Sequence, residues 1–188
     1  MNKLLASFKR HWFIYIISVF LAITLPIWII SLVIEPKTHE KYGLMIDGYD
    51  ISLTKEDLFF STNIRKVSIK NVNPTDLGIF IAAQKEAKDY DTLIIRKETF
   101  NHHDYTYALI SLDEETLNTL IPHHSPEYVI KDGLKYGFNV TDHVAKFAKN
   151  ELNDQYYLCF FKNSIHSGLL NHQNYSESLY FANWLISQ

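Results

Sequence analysis

The first feature in the pattern of apolar and polar positions is a run of 23 residues, Trp12 to Ile34, with no charged side chain. As a helix it would reach roughly 34 Å, enough to cross a hydrocarbon core of about 30 Å. Backbone groups in that core have to be satisfied within the segment, so the run predicts a transmembrane helix over residues 12–34. Pro26 within it predicts a kink, and Trp12 and Tyr15 suit the headgroup level near one end. The run outlasts the apolar core of a secretory signal, about 7–15 residues, and ends in Ser31-Leu-Val-Ile-Glu-Pro36, which offers no small-x-small cleavage site. An uncleaved anchor is therefore expected. Lys3, Lys9 and Arg10 precede the span, whereas Glu35, Lys37, Glu40 and Lys41 after it cancel. The positive-inside rule then keeps residues 1–11 in the cytoplasm and displays the remainder outside, a single-pass arrangement at the cell membrane.

Beyond the span, residues 35–41 read as a polar stalk and residues 42–188 as one extracellular domain. Tyr42–Ile46 reads as a strand closed by the turn pair Asp47-Gly48. Thr54-Lys-Glu-Asp57 has the form of a capping box, opening a short helix through about Thr62. Arg65–Asn71 alternates with period two, as a half-buried strand does. Asn73-Pro74-Thr75-Asp76 supplies a cap, a proline at the first helical position and an early acid. The helix it opens carries Leu77, Phe80, Ile81 and Ala87 on one stripe, interrupted by Gln84. Thr92–Ile95 predicts a strand, and Arg96–Tyr105 a polar loop. Asp113-Glu-Glu-Thr116 opens a helix with Leu117, Leu120 and Ile121 inward, stopped at Pro122. Tyr128–Lys131 and Leu134–Val140 flank Asp132-Gly133, a hairpin signal. Tyr156–Phe161 is apolar on both faces and reads as a central strand. Asn174 and Glu177 cap a last helix that buries Phe181, Trp184 and Leu185. The order βαβαβα, then hairpin, strand and helix, predicts a small three-layer α/β domain with a mainly parallel sheet.

Charge narrows the partners. Residues 36–188 hold 15 basic and 20 acidic residues, a net of −5. That argues against a nucleic-acid surface, which needs a basic patch, and against a domain lying flat on anionic lipid. Lipid contact is assigned to residues 12–34 alone. Cys159 is the single cysteine, so no intrachain disulfide and no multi-cysteine zinc site exist. A disulfide-free exported domain suits a bacterial surface.

Candidate chemistry is sparse. His102-His103 and His123-His124 are adjacent pairs in predicted loops, weak candidates for a shared metal site, without the His-x-x-x-His spacing of a helical zinc site. His166 and His172 read as solvated loop residues. Ser111, Ser125 and Ser164 lie in no Gly-x-Ser-x-Gly context, and Cys159 is predicted buried and inert. The acids Asp113-Glu114-Glu115 are explained by a helix N-terminus. No Gly-rich phosphate loop is present, and neither a cofactor nor a catalytic group is expected. In an open parallel sheet, binding surfaces lie at the carboxyl ends of the strands. That geometry selects Asp47, Asn73, Arg96, Lys97, Glu98 and Thr99, with Tyr136 from the hairpin, as ligand-binding candidates.

Three stretches carry a resemblance: Asp91-Thr-Leu-Ile-Ile95, Ile110-Ser-Leu-Asp-Glu-Glu-Thr-Leu117 and Lys131-Asp-Gly-Leu-Lys-Tyr-Gly-Phe138. Together they resemble the extracellular solute-binding proteins of ABC importers, of the type-2 periplasmic-binding kind. The resemblance covers about a quarter of the chain. Such proteins have two lobes around a ligand cleft, whereas only 46 residues follow Asp142 here. The resemblance therefore implies one lobe with its returning strand and helix, unable to close around a solute. It implies a non-enzymatic, membrane-anchored binding or interaction domain, accessory to a transporter permease or surface complex, with a small-molecule ligand undecided. The competing expectation is a small surface enzyme or metal-dependent protein using the loop histidines.

Overall fold

The computed structural model describes residues 2–58, 63–87, 89–114, 117, 126–166 and 177–187, without the side chains of residues 2–10, 31–34 and 85–87. The predicted end of the first short helix near Thr62, most of the Asp113–Pro122 helix, and His123, His124, Ser125, His172 and Asn174 lie outside the described residues. The chain divides into two compact units, Met1–Lys37 and Thr38–Gln188.

The first unit is α1, Asn2–Ile34, whose backbone leaves helical geometry at His11 (φ −126°, ψ 19°) and which contains Pro26. Its segment His11–Ile30 is long and apolar enough to cross a membrane, and none of it is buried. Thr24 donates its hydroxyl to the Phe20 carbonyl at 2.9 Å, so even this polar side chain is satisfied within the helix.

The second unit is an α/β domain on a six-stranded sheet of order β2-β1-β3-β6-β5-β4. The strands are β1 Lys41–Asp47, β2 Lys66–Val72, β3 Thr92–Arg96, β4 Tyr128–Lys131, β5 Leu134–Asn139 and β6 Tyr156–Phe160. Among the described residues the helices beside them include α2 Pro74–Ala87, α3 Lys97–His102, α4 Thr141–Val144 and α5 Glu177–Ser187. Side chains alternate across the sheet as the pleat requires. One face presents Leu44, Ile46, Ile94, Leu158 and Phe160 to Val144 of α4 and to Phe181 and Leu185 of α5. The other presents Met45, Leu93, Ile95, Tyr157 and Cys159 to Leu77 and Ile81 of α2 and Phe100 of α3. Because both faces are covered, β1 and β3 carry consecutive apolar residues in their interiors, Leu44–Ile46 and Leu93–Ile95, and β6 is buried at every position.

The sheet is mixed rather than mainly parallel. β1 runs parallel to β2 and β3, while β3–β6, β6–β5 and β5–β4 are antiparallel. The cause is local. Asp132 and Gly133 take positive φ (52° and 77°), so a two-residue turn joins β4 and β5 and forces them antiparallel. After β5 the chain turns back through α4 and a 3₁₀ turn, Ala145–Phe147, instead of making a full crossover.

Two elements differ from the hydrophobic pattern. The stretch after β3, expected as a loop, forms α3 because its one large apolar residue, Phe100, is fully buried and packs 6.3 Å from the Tyr136 ring. Between β1 and β2 the described helical structure is one 3₁₀ turn, Lys55–Asp57, closed by the Thr54–Asp57 capping box.

Candidate functional site

The strand order reverses beside β1: the chain goes from β1 to β2 on one side, then crosses through α2 to β3 on the other. The connections use opposite faces, since Ile51 and Leu53 pack with the α5 side and Leu77 and Ile81 with the α3 side. A crevice at the carboxyl ends of the strands is the geometric consequence. Asp47 ends β1 and Arg96 ends β3, and the two are joined there. One Asp47 carboxylate oxygen, Oδ2, accepts from the Arg96 backbone N–H and from its Nε, both at 3.2 Å. The other, Oδ1, is buried with no hydrogen-bond partner among the described residues. Partial burial works against the Arg96 charge, but the hydrogen bond and charge of Asp47 hold its guanidinium above the ordinary value.

Aromatic hydroxyls gather at the same place. Tyr156 donates to Asp50 Oδ2 at 3.2 Å. Burial, followed by the nearby Asp50 charge, pushes its phenol well above the ordinary range. Tyr105 is pushed up to about 12 by burial, then by Asp47 and Tyr107. Its hydroxyl, like Asp47 Oδ1, has no partner among the described residues. Such groups are ordinarily satisfied by water or by a bound polar group.

Further along the edge, Lys97 Nζ donates to Glu127 Oε1 and Gln155 Oε1, both at 2.7 Å, and Gln155 Nε2 closes the ring to Glu127 Oε2 at 3.0 Å. The lysine hydrogen bond holds the Glu127 carboxyl below its ordinary value. Two cavities lie along this edge. One, about 230 Å³, is lined by Thr75, Arg96, Glu98, Thr99, His102 and His103 among others. The second, about 470 Å³, lies among Phe138, Ile186, Glu127, Asp142, His143 and Gln155. Its volume lies within the range of small-ligand sites, while its walls are mainly polar, with Pro126, Phe138 and Ile186 the apolar part. The chain matches no family model, no curated protein and no solved structure.

Of the residues selected from the sequence, Asp47, Arg96, Lys97, Glu98 and Thr99 meet along this edge. Asn73 is there too, where its side chain accepts from the Thr75 N–H at 3.2 Å and its carbonyl caps the first turn of α2. Tyr136 is not: it lies in the core, 6% exposed, beside Phe100. The register of β4 on β5 skips Tyr136, so a bulge turns the ring to the α3 face, whereas strict alternation would put it on the face of Phe138. Glu127, Gln155 and Asp142 were not selected, because they reach the edge from distant parts of the chain. The Gln155-Tyr156 start of an all-apolar strand was the one available hint.

A second polar cluster lies at the opposite edge. Ser164 donates to Asp91 Oδ1 at 2.5 Å, Gly43 N–H donates to Asp91 Oδ2 at 2.7 Å, and the His166 backbone N–H donates to Ser164 Oγ at 3.0 Å. The His166 ring meets the Lys41 carbonyl through Nε2 at 2.7 Å. A nucleophilic triad needs the imidazole between serine and acid. Here the serine bonds the acid directly and all three side chains are buried, so the arrangement clamps the loop after β6 to the start of β1. Among the described residues no group of three or more His, Cys, Asp or Glu could hold a metal ion.

Proposed function

We infer that the chain is a membrane-anchored binding or interaction domain, held by residues 12–34 with its N-terminus in the cytoplasm and its α/β domain displayed outside. The observation that carries this reading is the joining of an unburied apolar helix to a separate compact α/β unit. Support for binding comes from the strand-order reversal, the Asp47 oxygen that has no partner among the described residues, and the cavity of about 470 Å³, all at one edge. The antiparallel return of β6 and the last helix α5 are consistent with the single solute-binding-like lobe that the resemblance implies. In that role the edge meets a solute or a membrane partner such as a transporter permease.

Two measurements on the full-length chain test this. A reporter active only outside the cytoplasm, fused after Gln188, is expected to be active; a silent reporter overturns the displayed orientation. In detergent micelles, titration with amino acids, short peptides and sugars is expected to give a saturable rise in melting temperature for one class. The substitution Asp142→Arg at the exposed cavity rim should weaken it about tenfold or more. Binding unchanged by that substitution would place recognition elsewhere.

A further inference from the structure

The two outermost strands, β2 and β4, each have one unpaired edge among the described residues. An open row of main-chain donors and acceptors is a template for another strand, and proteins commonly guard it with lysines. β2 is guarded in this way. Antiparallel pairing of two copies about Ser68 would place Lys66 of one opposite Lys70 of the other, and like charges directly opposite repel.

β4 has the reverse pattern. The segment reads Glu127-Tyr128-Val129-Ile130-Lys131. Two copies paired antiparallel about Val129 would set Glu127 opposite Lys131 on both sides, and Tyr128 opposite Ile130. The main chain agrees with this register. Asn139 N–H donates to the Glu127 carbonyl at 2.8 Å, and Val129 is opposite Gly137. The main-chain groups of Glu127 and Val129 therefore face β5, and by the antiparallel alternation those of Tyr128 and Ile130 face outward. Tyr128 and Ile130 are the residues that a two-fold axis through Val129 brings together as a hydrogen-bonded pair. Glu127 and Lys131 then form the close, non-hydrogen-bonded pair. Ile130 is 57% exposed, and both charged side chains retain access to solvent, at 47% and 30%. Within one copy Glu127 already meets Lys97 and Lys131 meets Asp104. Pairing would link these into one row of alternating charge, Lys97–Glu127–Lys131–Asp104, running across the two copies.

We propose that the chain forms a two-fold homodimer through the outer edge of β4, joining two six-stranded sheets into one. The test uses the full-length chain in detergent micelles, with mass measured by light scattering across micromolar concentrations. The wild type is expected to dimerise. Glu127→Lys and Lys131→Glu each create two like-charge pairs across the axis and should lower the association constant by roughly tenfold or more. An equimolar mixture of these two variants should recover association, because every pair across the axis is again opposite in sign. Loss of the contact to Lys97 or Asp104 inside one copy persists in the mixture, so recovery reads only the contact between copies. Ile130→Pro, which removes an outward N–H, should give a monomer with an unchanged circular dichroism spectrum. A monomeric wild type overturns the proposal. So does a mixture that stays monomeric, or dimers that survive Ile130→Pro.

Discussion

Asp91 stands just ahead of β3, where its two oxygens collect Ser164 and the Gly43 N–H while burial strips away water. Burial is the largest influence and raises its carboxyl pKa, against the opposing pull of His166, Ser164 and Gly43. A folded-state pKa above the unfolded one means that the folded state binds the proton more tightly. The resulting stabilisation is complete below the unfolded pKa and is lost as pH rises through the raised value. Wild-type stability should therefore carry a downward component with rising pH just above the ordinary carboxylate range, and Asp91→Asn should lack it. Urea unfolding across that window checks this through the variant-minus-wild-type difference; a flat difference would show no raised pKa. The exposed acids Asp57 and Asp104, whose shifts are downward and owed to hydrogen bonds from Thr54 and Thr106, cancel from the comparison. At this scale, legibility depended on how local a role was. Asp47 was legible as a strand end. The burial of Asp91 was not, because Ser164 joins it across 73 positions of sequence.

Elements whose ends are set by adjacent residues were the most legible. Asn73 and Pro74 mark the start of α2, and Asp132-Gly133 mark the hairpin. The capping role is measurable: Asn73→Ala should cost about 1 kcal/mol of unfolding free energy, while Asn73→Asp should cost much less. Chemical denaturation of both variants decides whether the side chain caps the helix. α3 and the β5 bulge were illegible for a shared reason. Phe100 is a single apolar residue in a polar stretch, and it becomes helical by packing on Tyr136, which itself faces that way only because the strand bulges. Periodicity detects neither partner alone. Gly137, next to the bulge, has no room for a side chain: a Cβ there would lie 2.6 Å from Cys159 Sγ and 2.7 Å from the Leu158 carbonyl.

For the whole molecule, the apolar helix and the α/β character were plain in the residue pattern, whereas strand order was not. Order depends on β6, written 60 positions after β3 in the sequence, entering between β3 and β5. The division into two units carries its own expectation. The full-length chain should remain with membranes through alkaline carbonate extraction. A chain beginning at Thr38 should be released and still melt cooperatively. Release of the full-length chain by carbonate would count against the helix as an anchor.

That late entry of β6 sets an order of assembly. Residues 41–96 can build the parallel half of the sheet, and residues 128–139 the hairpin, as each segment emerges during synthesis. Neither half has its inner neighbour until Tyr156–Phe160 arrives, and long-range pairings of this kind form slowly. A chain interrupted before Tyr156 would hold two unfinished sheets with open inner edges facing each other. Nearly the entire domain must therefore emerge before it can close, so the last fifth of the chain controls when it becomes native.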